Sequence, residues 1–114
     1  MPAAPVLRHF IETDLFQRTT AGWLTDDEIW QVQATLSVRP TAGDSIRRSG
    51  GFRKIRVAQK GKGKSGSGRI IYYFVGPEET VYFIMAYRKG VKDTLTDAEV
   101  NQVRKHRDAI LGKE

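Results

Sequence analysis

Two almost continuously apolar runs in the second half of the chain constrain its fold most strongly. They read RIIYYFV (residues 69–75) and VYFIMAY (residues 81–87), and both are rich in the β-branched and aromatic residues that favour strands. The GPEE segment between them predicts a tight turn, so the two strands should form an antiparallel hairpin. Because polar residues do not alternate with apolar ones, we expect both strands to be central in a sheet and covered on both faces.

Two helices are predicted from their start signals. Thr25 and Glu28 have the spacing of a capping box, as do Thr96 and Glu99, and acidic residues follow each threonine where the helix dipole favours anions. Pro40 should end the first helix, and Gly112 should end the second. The predicted inward-facing residues are Ile29, Val32 and Leu36 in the first helix and Val100, Val103 and Ile110 in the second.

The remaining segments complete an α+β pattern. Residues 6–13 predict a first strand, residues 15–18 a short helix, residues 41–51 a turn-rich connection, and residues 52–59 a further strand. The helices are separated from a run of three strands and do not alternate with them, which is typical of the α+β class. No repeat or linker divides the chain, so residues 1–114 should form a single domain.

The composition excludes several kinds of site. The chain has 114 residues and no cysteine, so disulfides and thiolate metal sites are excluded, and a reducing cytoplasm is compatible. Two histidines make a transition-metal site unexpected, and we expect no metal and no cofactor. The first residues make a poor signal peptide, and no apolar run is long enough for a membrane helix.

The positive charge is concentrated in one central segment. Between residues 45 and 77 the chain carries nine Lys or Arg and no Asp or Glu, whereas the rest carries ten basic and thirteen acidic residues. The net charge of +6 therefore comes from this segment alone. A concentration of this kind indicates a polyanion site, and a merely solvated basic face is the alternative.

The loop KGKGKSGSGR (residues 60–69) resembles a nucleotide-binding loop only superficially. A P-loop needs a glycine at the position of Ala58 and a helix directly after its lysine and serine, whereas a strand follows here. A glycine-rich basic hairpin suits an extended polyanion such as RNA, and a solubilising loop without a ligand is the alternative. The candidate RNA-binding lysines of this loop are Lys60, Lys62 and Lys64.

Three cations on the neighbouring strands are stronger candidates for binding phosphate. Lys54 and Arg56 alternate with Ile55 and Val57, so they should share one strand face at about 6.6 Å from each other. Arg69 begins the adjacent strand. We expect these three side chains to converge on one concave surface.

The other candidate residues are expected to have structural roles. His9 and His106 are remote in sequence from the basic segment, so we expect them to be structural or surface residues. Trp30 should pack in or at the edge of the core, and Trp23 should help to fix the start of the helix that follows it.

Several motifs in order carry a family resemblance. The segment GGFRKIRVAQKGKGKSGSGRIIYYF, followed by AYRK and DTLTDAE, closely resembles the RelE/HigB family of toxins from bacterial type II toxin–antitoxin systems. The upstream elements FIETDLF, LTDDE and GD fit the same pattern, so the resemblance covers about residues 8–110. It implies a RelE/ParE-like fold, with a small antiparallel sheet packed against helices.

The resemblance also implies an activity. Members of the RelE/HigB family cut messenger RNA in the decoding site of the ribosome and halt translation. The message's own 2′-OH attacks the neighbouring phosphate, which leaves a 2′,3′-cyclic phosphate and a free 5′-OH, and no metal is used. The implied catalytic residues are Lys54, Arg56, Arg69 and Lys89. The implied contacts to RNA or ribosome are Arg53, Lys60, Lys62, Lys64, Tyr87, Arg88 and Lys92.

One position departs from the family pattern, and two residues leave alternatives open. Gly90 stands where some relatives carry a catalytic arginine, so either Arg88 or Lys92 substitutes or the role is absent. Tyr87 either contacts RNA or packs in the core. Lys54 would act as a general base only if nearby cations favoured its neutral form.

The same fold leaves rival functions open. A ParE-like toxin would inhibit DNA gyrase, and a non-catalytic nucleic-acid module would bind without cutting. The family also implies a cognate antitoxin partner, often with a helix-turn-helix, in addition to ribosome and mRNA. From the composition we expect no membrane partner and a cytoplasmic location.

Overall fold

The computed structural model describes residues 8–59, 68–88 and 95–111, which form one sheet with helices on both faces. The elements in chain order are β1 (His9–Glu12), α1 (Asp14–Thr20), α2 (Asp26–Val38), β2 (Asp44–Ser45), β3 (Arg53–Val57), β4 (Gly68–Val75), a 3₁₀ turn (Gly76–Glu78), β5 (Thr80–Arg88) and α3 (Asp97–Ile110). The predicted α+β class is confirmed. Within the described residues, no helix is long and apolar enough to span a bilayer.

The five strands of the described residues lie in the order β1-β5-β4-β3-β2. The predicted hairpin of β4 and β5 is confirmed, and β2, β3, β4 and β5 pair antiparallel to their neighbours. The sheet is nevertheless mixed, because β1 runs parallel to β5. No tight turn joins these two strands, and α1 and α2 carry the chain away from the sheet after β1, so the direction of β1 is not set by a hairpin.

Both faces of the central hairpin are covered, as the apolar runs predict. The consecutive residues Ile70, Ile71 and Tyr72 are all 0% exposed, although neighbouring side chains point to opposite faces of a sheet. The first core cluster joins one face to α1 and α2 and includes Phe16, Leu36, Ile70, Tyr72 and Phe83. The second joins the other face to α3 and includes Phe52, Ile71, Ile84, Leu95 and Val103.

The two predicted capping boxes are present. The Thr25 hydroxyl accepts from the Glu28 N–H and the Glu28 carboxylate accepts from the Thr25 N–H, and Thr96 and Glu99 do the same in α3. These reciprocal bonds satisfy backbone donors that a helix start leaves free. The predicted end of α3 at Gly112 lies outside the described residues.

The prediction that Trp30 packs in or beside the core is wrong. Its side chain is 65% exposed. The buried residues of α2 are Ile29, Val32 and Leu36, which define a single inward stripe. Trp30 follows Ile29 directly and is therefore rotated by about 100° from that stripe toward solvent.

Candidate nucleic-acid interface

Three basic side chains share the sheet face on which α3 packs. In the β3–β4 register Arg56 lies directly opposite Arg69, and Lys54 lies opposite Ile71 of the second core cluster. Directly opposite residues of an antiparallel pair project to the same face, with Cα atoms about 4.5–5.5 Å apart. Lys54 and Arg56 also share a face, because they are two residues apart on one strand. The structure therefore places Lys54, Arg56 and Arg69, named here the cation cluster, on one surface.

The cation cluster lines an open cavity of about 430 Å³ at the β3 side of the sheet. Arg56 is exposed, whereas Lys54 and Arg69 are half-buried. Arg69 donates from Nη1 to the carbonyl of Gly68 at 3.0 Å, which holds its guanidinium beside the start of β4. Such a group of cations can bind a phosphate through charge-assisted hydrogen bonds.

One carboxylate in this cavity was missed by sequence reasoning. Asp44 is opposite Lys54 in the β2–β3 register and lines the same cavity. It can pair with the lysine or accept a proton. In the sequence, Asp44 stands out only through its place in a turn-rich segment and in the GD element of the family resemblance, and nothing local shows that residues 44 and 45 pair with β3.

Arg53 lies away from the cation cluster. It alternates with Lys54 and is opposite Tyr72 of the first core cluster, so it projects to the other sheet face. Its Nη1 donates to the carbonyl of Gly43 at 2.7 Å and to that of Thr41 at 3.4 Å. These bonds hold the connection between α2 and β2, and a structural role accounts for the placement of Arg53.

Arg88 also projects to the opposite face. It pairs with Gly68, one residue from Arg69, and its guanidinium lies 5.2 Å from the ring centroid of Trp23. Trp23 is fixed in turn by the bond from Nε1 to the Thr19 carbonyl at 2.6 Å. A Cβ at Gly68 would come within 2.6 Å of the Trp23 ring, so glycine is required for this contact. Arg88, one candidate to replace the arginine that is absent at Gly90, therefore points away from the cation cluster, whereas the other candidate, Lys92, lies outside the described residues.

Tyr87 is opposite Arg69 in the β4–β5 register but is only 6% exposed. Its ring packs in the second core cluster, so packing in the core is the alternative that the structure favours.

His9 lies on β1, which β5 and β4 separate from β3, and His106 lies on α3. The predicted site residues Lys60, Lys62, Lys64, Lys89 and Lys92 lie outside the described residues.

The fold and the cation cluster together define a class: a small α+β protein with a sheet face suited to binding a phosphate polyanion. A sequence model of the family described as "RelE toxin of RelE / RelB toxin-antitoxin system" matches residues 11–113. The chain therefore belongs to the RelE toxin family.

A solved structure supports the fold assignment. The free-state structure of a double mutant of the E. coli toxin RelE superposes with a TM-score of 0.51. The match covers 88% of this chain and 96% of that chain, at 15% sequence identity. At that identity the likeness shows the fold alone, and the family assignment depends on the sequence match.

Proposed function

We propose that this chain is a toxin that cuts messenger RNA on the ribosome and so inhibits translation in the cytoplasm. The observation that carries the proposal is the pair Arg56 and Arg69, directly opposite each other on a face that also carries Lys54. Like charges in opposite positions destabilise a sheet. An anion between them removes that repulsion, and the phosphate at a cleavage point in RNA is such an anion.

The protein groups would act mainly through their charge. The 2′-oxygen of the message forms a bond to the neighbouring phosphorus, the bond from phosphorus to the 5′-oxygen breaks, and a 2′,3′-cyclic phosphate remains. Arg56 and Arg69 would hold the phosphate oxygens, whose negative charge grows in the transition state. Guanidinium groups keep their protons, so they cannot serve as the base.

Lys54 would contribute proton transfer, and the ribosome would contribute alignment of the message. Lys54 is the residue of the cation cluster that can transfer a proton: its ammonium can give one to the departing 5′-oxygen, and only its neutral amine could take one from the 2′-OH. Alignment of the message in the decoding site would contribute through proximity, which can be worth about 7–11 kcal/mol. We propose no metal ion in this reaction. Lys89 stays a predicted catalytic residue.

The direct test is a cleavage assay with purified ribosomes programmed with mRNA. We expect the protein to cut the message only when ribosomes are present. The double variant Lys54→Ala/Arg69→Ala should lose cutting, whereas Arg18→Ala removes an exposed cation on α1 and should cut like the wild type. An uncut message that the protein still binds would contradict the proposal and favour a non-catalytic module. Inhibition of gyrase supercoiling would favour a ParE-like toxin instead.

We also propose that a cognate antitoxin, with its own helix-turn-helix, neutralises this chain. Expression of the chain alone should arrest growth, because translation would stop, and co-expression of the antitoxin should relieve the arrest. Growth is measured by optical density after induction, with protein levels verified by immunoblot. The Lys54→Ala/Arg69→Ala variant, produced at the same level, is the control. Normal growth of cells that make the wild-type chain alone would contradict toxicity.

A further inference from the structure

A second cavity, of about 380 Å³, lies on the same sheet face, between the loop that follows β2 and the start of α3. Its walls include Ile46, Arg47, Arg48, Lys54, Leu95 and Asp97. Lys54 also lines the cavity of the cation cluster, so the two cavities adjoin at this residue. The volume falls within the range of about 300–1,000 Å³ that is usual for small-molecule sites.

The loop that presents Arg47 and Arg48 has a defined internal structure. Ser49 is 0% exposed, and its hydroxyl donates to the Ile46 carbonyl at 2.7 Å and accepts from the Phe52 N–H at 3.0 Å. The Ile46 N–H donates to the Phe52 carbonyl at 2.9 Å, which closes the loop at its base. The two arginines are therefore carried by a loop that hydrogen bonds hold in place.

Arg48 has an unfavourable backbone conformation. Its φ is 64°, in the left-handed region that a Cβ disfavours, and the next glycines, Gly50 and Gly51, also have positive φ. A glycine at position 48 would relieve this strain. Strained non-glycine residues are concentrated at functional sites, and an arginine here supplies a cation to the wall of the cavity.

The cavity combines the groups that a single nucleotide needs. Ile46 and Leu95 provide apolar walls for the faces of a base, and the cations Arg47, Arg48 and Lys54 can bind its phosphates. The carboxylate of Asp97 accepts hydrogen bonds only, so it suits a base that carries an amino group on its Watson–Crick edge. Uracil offers carbonyl oxygens on either side of one N–H and fits a carboxylate poorly.

We propose that this cavity is a nucleotide subsite and that Asp97 favours a base with an amino group: guanine, adenine or cytosine over uracil. The inference builds on the proposed function. The bound nucleotide is the one next to the phosphate held by Arg56 and Arg69, because Lys54 borders both cavities. Guanine is the best match, since its N1–H and its amino group are two adjacent donors.

The chain contains a matched control for the key variant. Asp97 is the first residue of α3, after a threonine cap, and Asp26 has the same place in α2. Asp97→Asn and Asp26→Asn therefore each remove one favourable interaction between a carboxylate and a helix dipole, but only Asp97→Asn changes the cavity.

For the cleavage assay, ribosomes are programmed with four messages that differ only in the base next to the cleaved phosphate. We expect the wild type to prefer an amino-bearing base over uracil by about five- to a hundredfold in cleavage rate.

Asp97→Asn should lose most of that preference, and Asp26→Asn should keep it. Equal preference in the wild type and Asp97→Asn would overturn the inference while leaving the proposed function in place. Loss of preference in both variants would also overturn it, because the cause would then be the helix and not the cavity. A wild type that cuts none of the four messages would contradict the proposed function instead.

A binding experiment without ribosomes tests the cavity independently. Methyl NMR signals of Leu95 and Val100 should shift more with guanosine 5′-monophosphate than with uridine 5′-monophosphate, and Asp97→Asn should remove the difference. Equal responses to the two nucleotides, or none, would overturn the inference whatever the cleavage assay shows.

Arg48→Gly should weaken binding of both nucleotides without lowering the unfolding temperature, because the glycine relieves the strain of the positive φ. Unchanged binding in Arg48→Gly would remove the phosphate role of the loop.

Discussion

Replacing Arg69 with alanine is expected to lower single-turnover cleavage of ribosome-bound mRNA by about 10²–10³-fold, and Arg56→Ala should have an effect of similar size. Both guanidinium groups would stabilise charge that develops on one phosphate, and Arg69 is positioned for this by its bond to the Gly68 carbonyl at 3.0 Å. Arginine to lysine should recover only part of the rate, since an ammonium cannot form the two parallel hydrogen bonds of a guanidinium. The measurement is the rate of message cleavage at saturating protein.

The unfolding stability of the variants distinguishes a catalytic role of Arg56 and Arg69 from a structural one. Arg56 and Arg69 are opposite each other, so removing either relieves repulsion worth about 0.2–1 kcal/mol. Each single variant should therefore unfold at the same or slightly higher urea concentration than the wild type. A large loss of cleavage together with a lower midpoint would indicate that the residue supports the fold. Arg18→Ala is the control for removing a cation elsewhere.

Much of the fold follows from local sequence patterns. The hairpin of β4 and β5 was predictable because its apolar runs and its turn are contiguous, and the two capping boxes were predictable because each depends on residues three positions apart. The shared face of Lys54 and Arg56 follows from alternation within one strand. These features need no information from distant parts of the chain.

Features that depend on distant pairing were not predictable. The two-residue strand β2 and the parallel direction of β1 exist only through their partners. The alternation of side chains along β3 puts Arg53 and Lys54 on opposite faces of the sheet. Only the hydrogen bonds from Arg53 to the carbonyls of Thr41 and Gly43 show that it holds the connection between α2 and β2. The opposition of Arg56 and Arg69 depends on the β3–β4 register, which no local pattern reveals.

Tyr72→Phe is expected to destabilise the protein by about 1–3 kcal/mol. The Tyr72 hydroxyl donates to the Pro40 carbonyl at 2.8 Å and accepts from the Gly43 N–H at 2.9 Å, so it joins the sheet to the connection between α2 and β2. Gly43 is buried, and its N–H would lose this partner. The measurement is the free energy of unfolding in urea. Tyr73→Phe, at a half-buried neighbour, is the control and should change it by less than about 0.5 kcal/mol.

The loss of stability in Tyr72→Phe should depend on pH, and this dependence identifies the cause of the loss. Burial raises the pKa of Tyr72, so the folded state keeps the phenol protonated when the unfolded state, with a pKa of about 10, begins to lose the proton. The stabilisation by Tyr72 is therefore complete below pH about 10 and declines as the pH rises above it. Tyr72→Phe has no such proton, so the stability gap between wild type and variant should narrow above pH about 10. The pKa of Tyr82 is also raised, by burial and then by Glu78, but this residue is common to both proteins and cancels in the comparison. A gap that stays constant between pH 7 and 11 would show that the loss in Tyr72→Phe comes from altered packing and not from the buried hydroxyl.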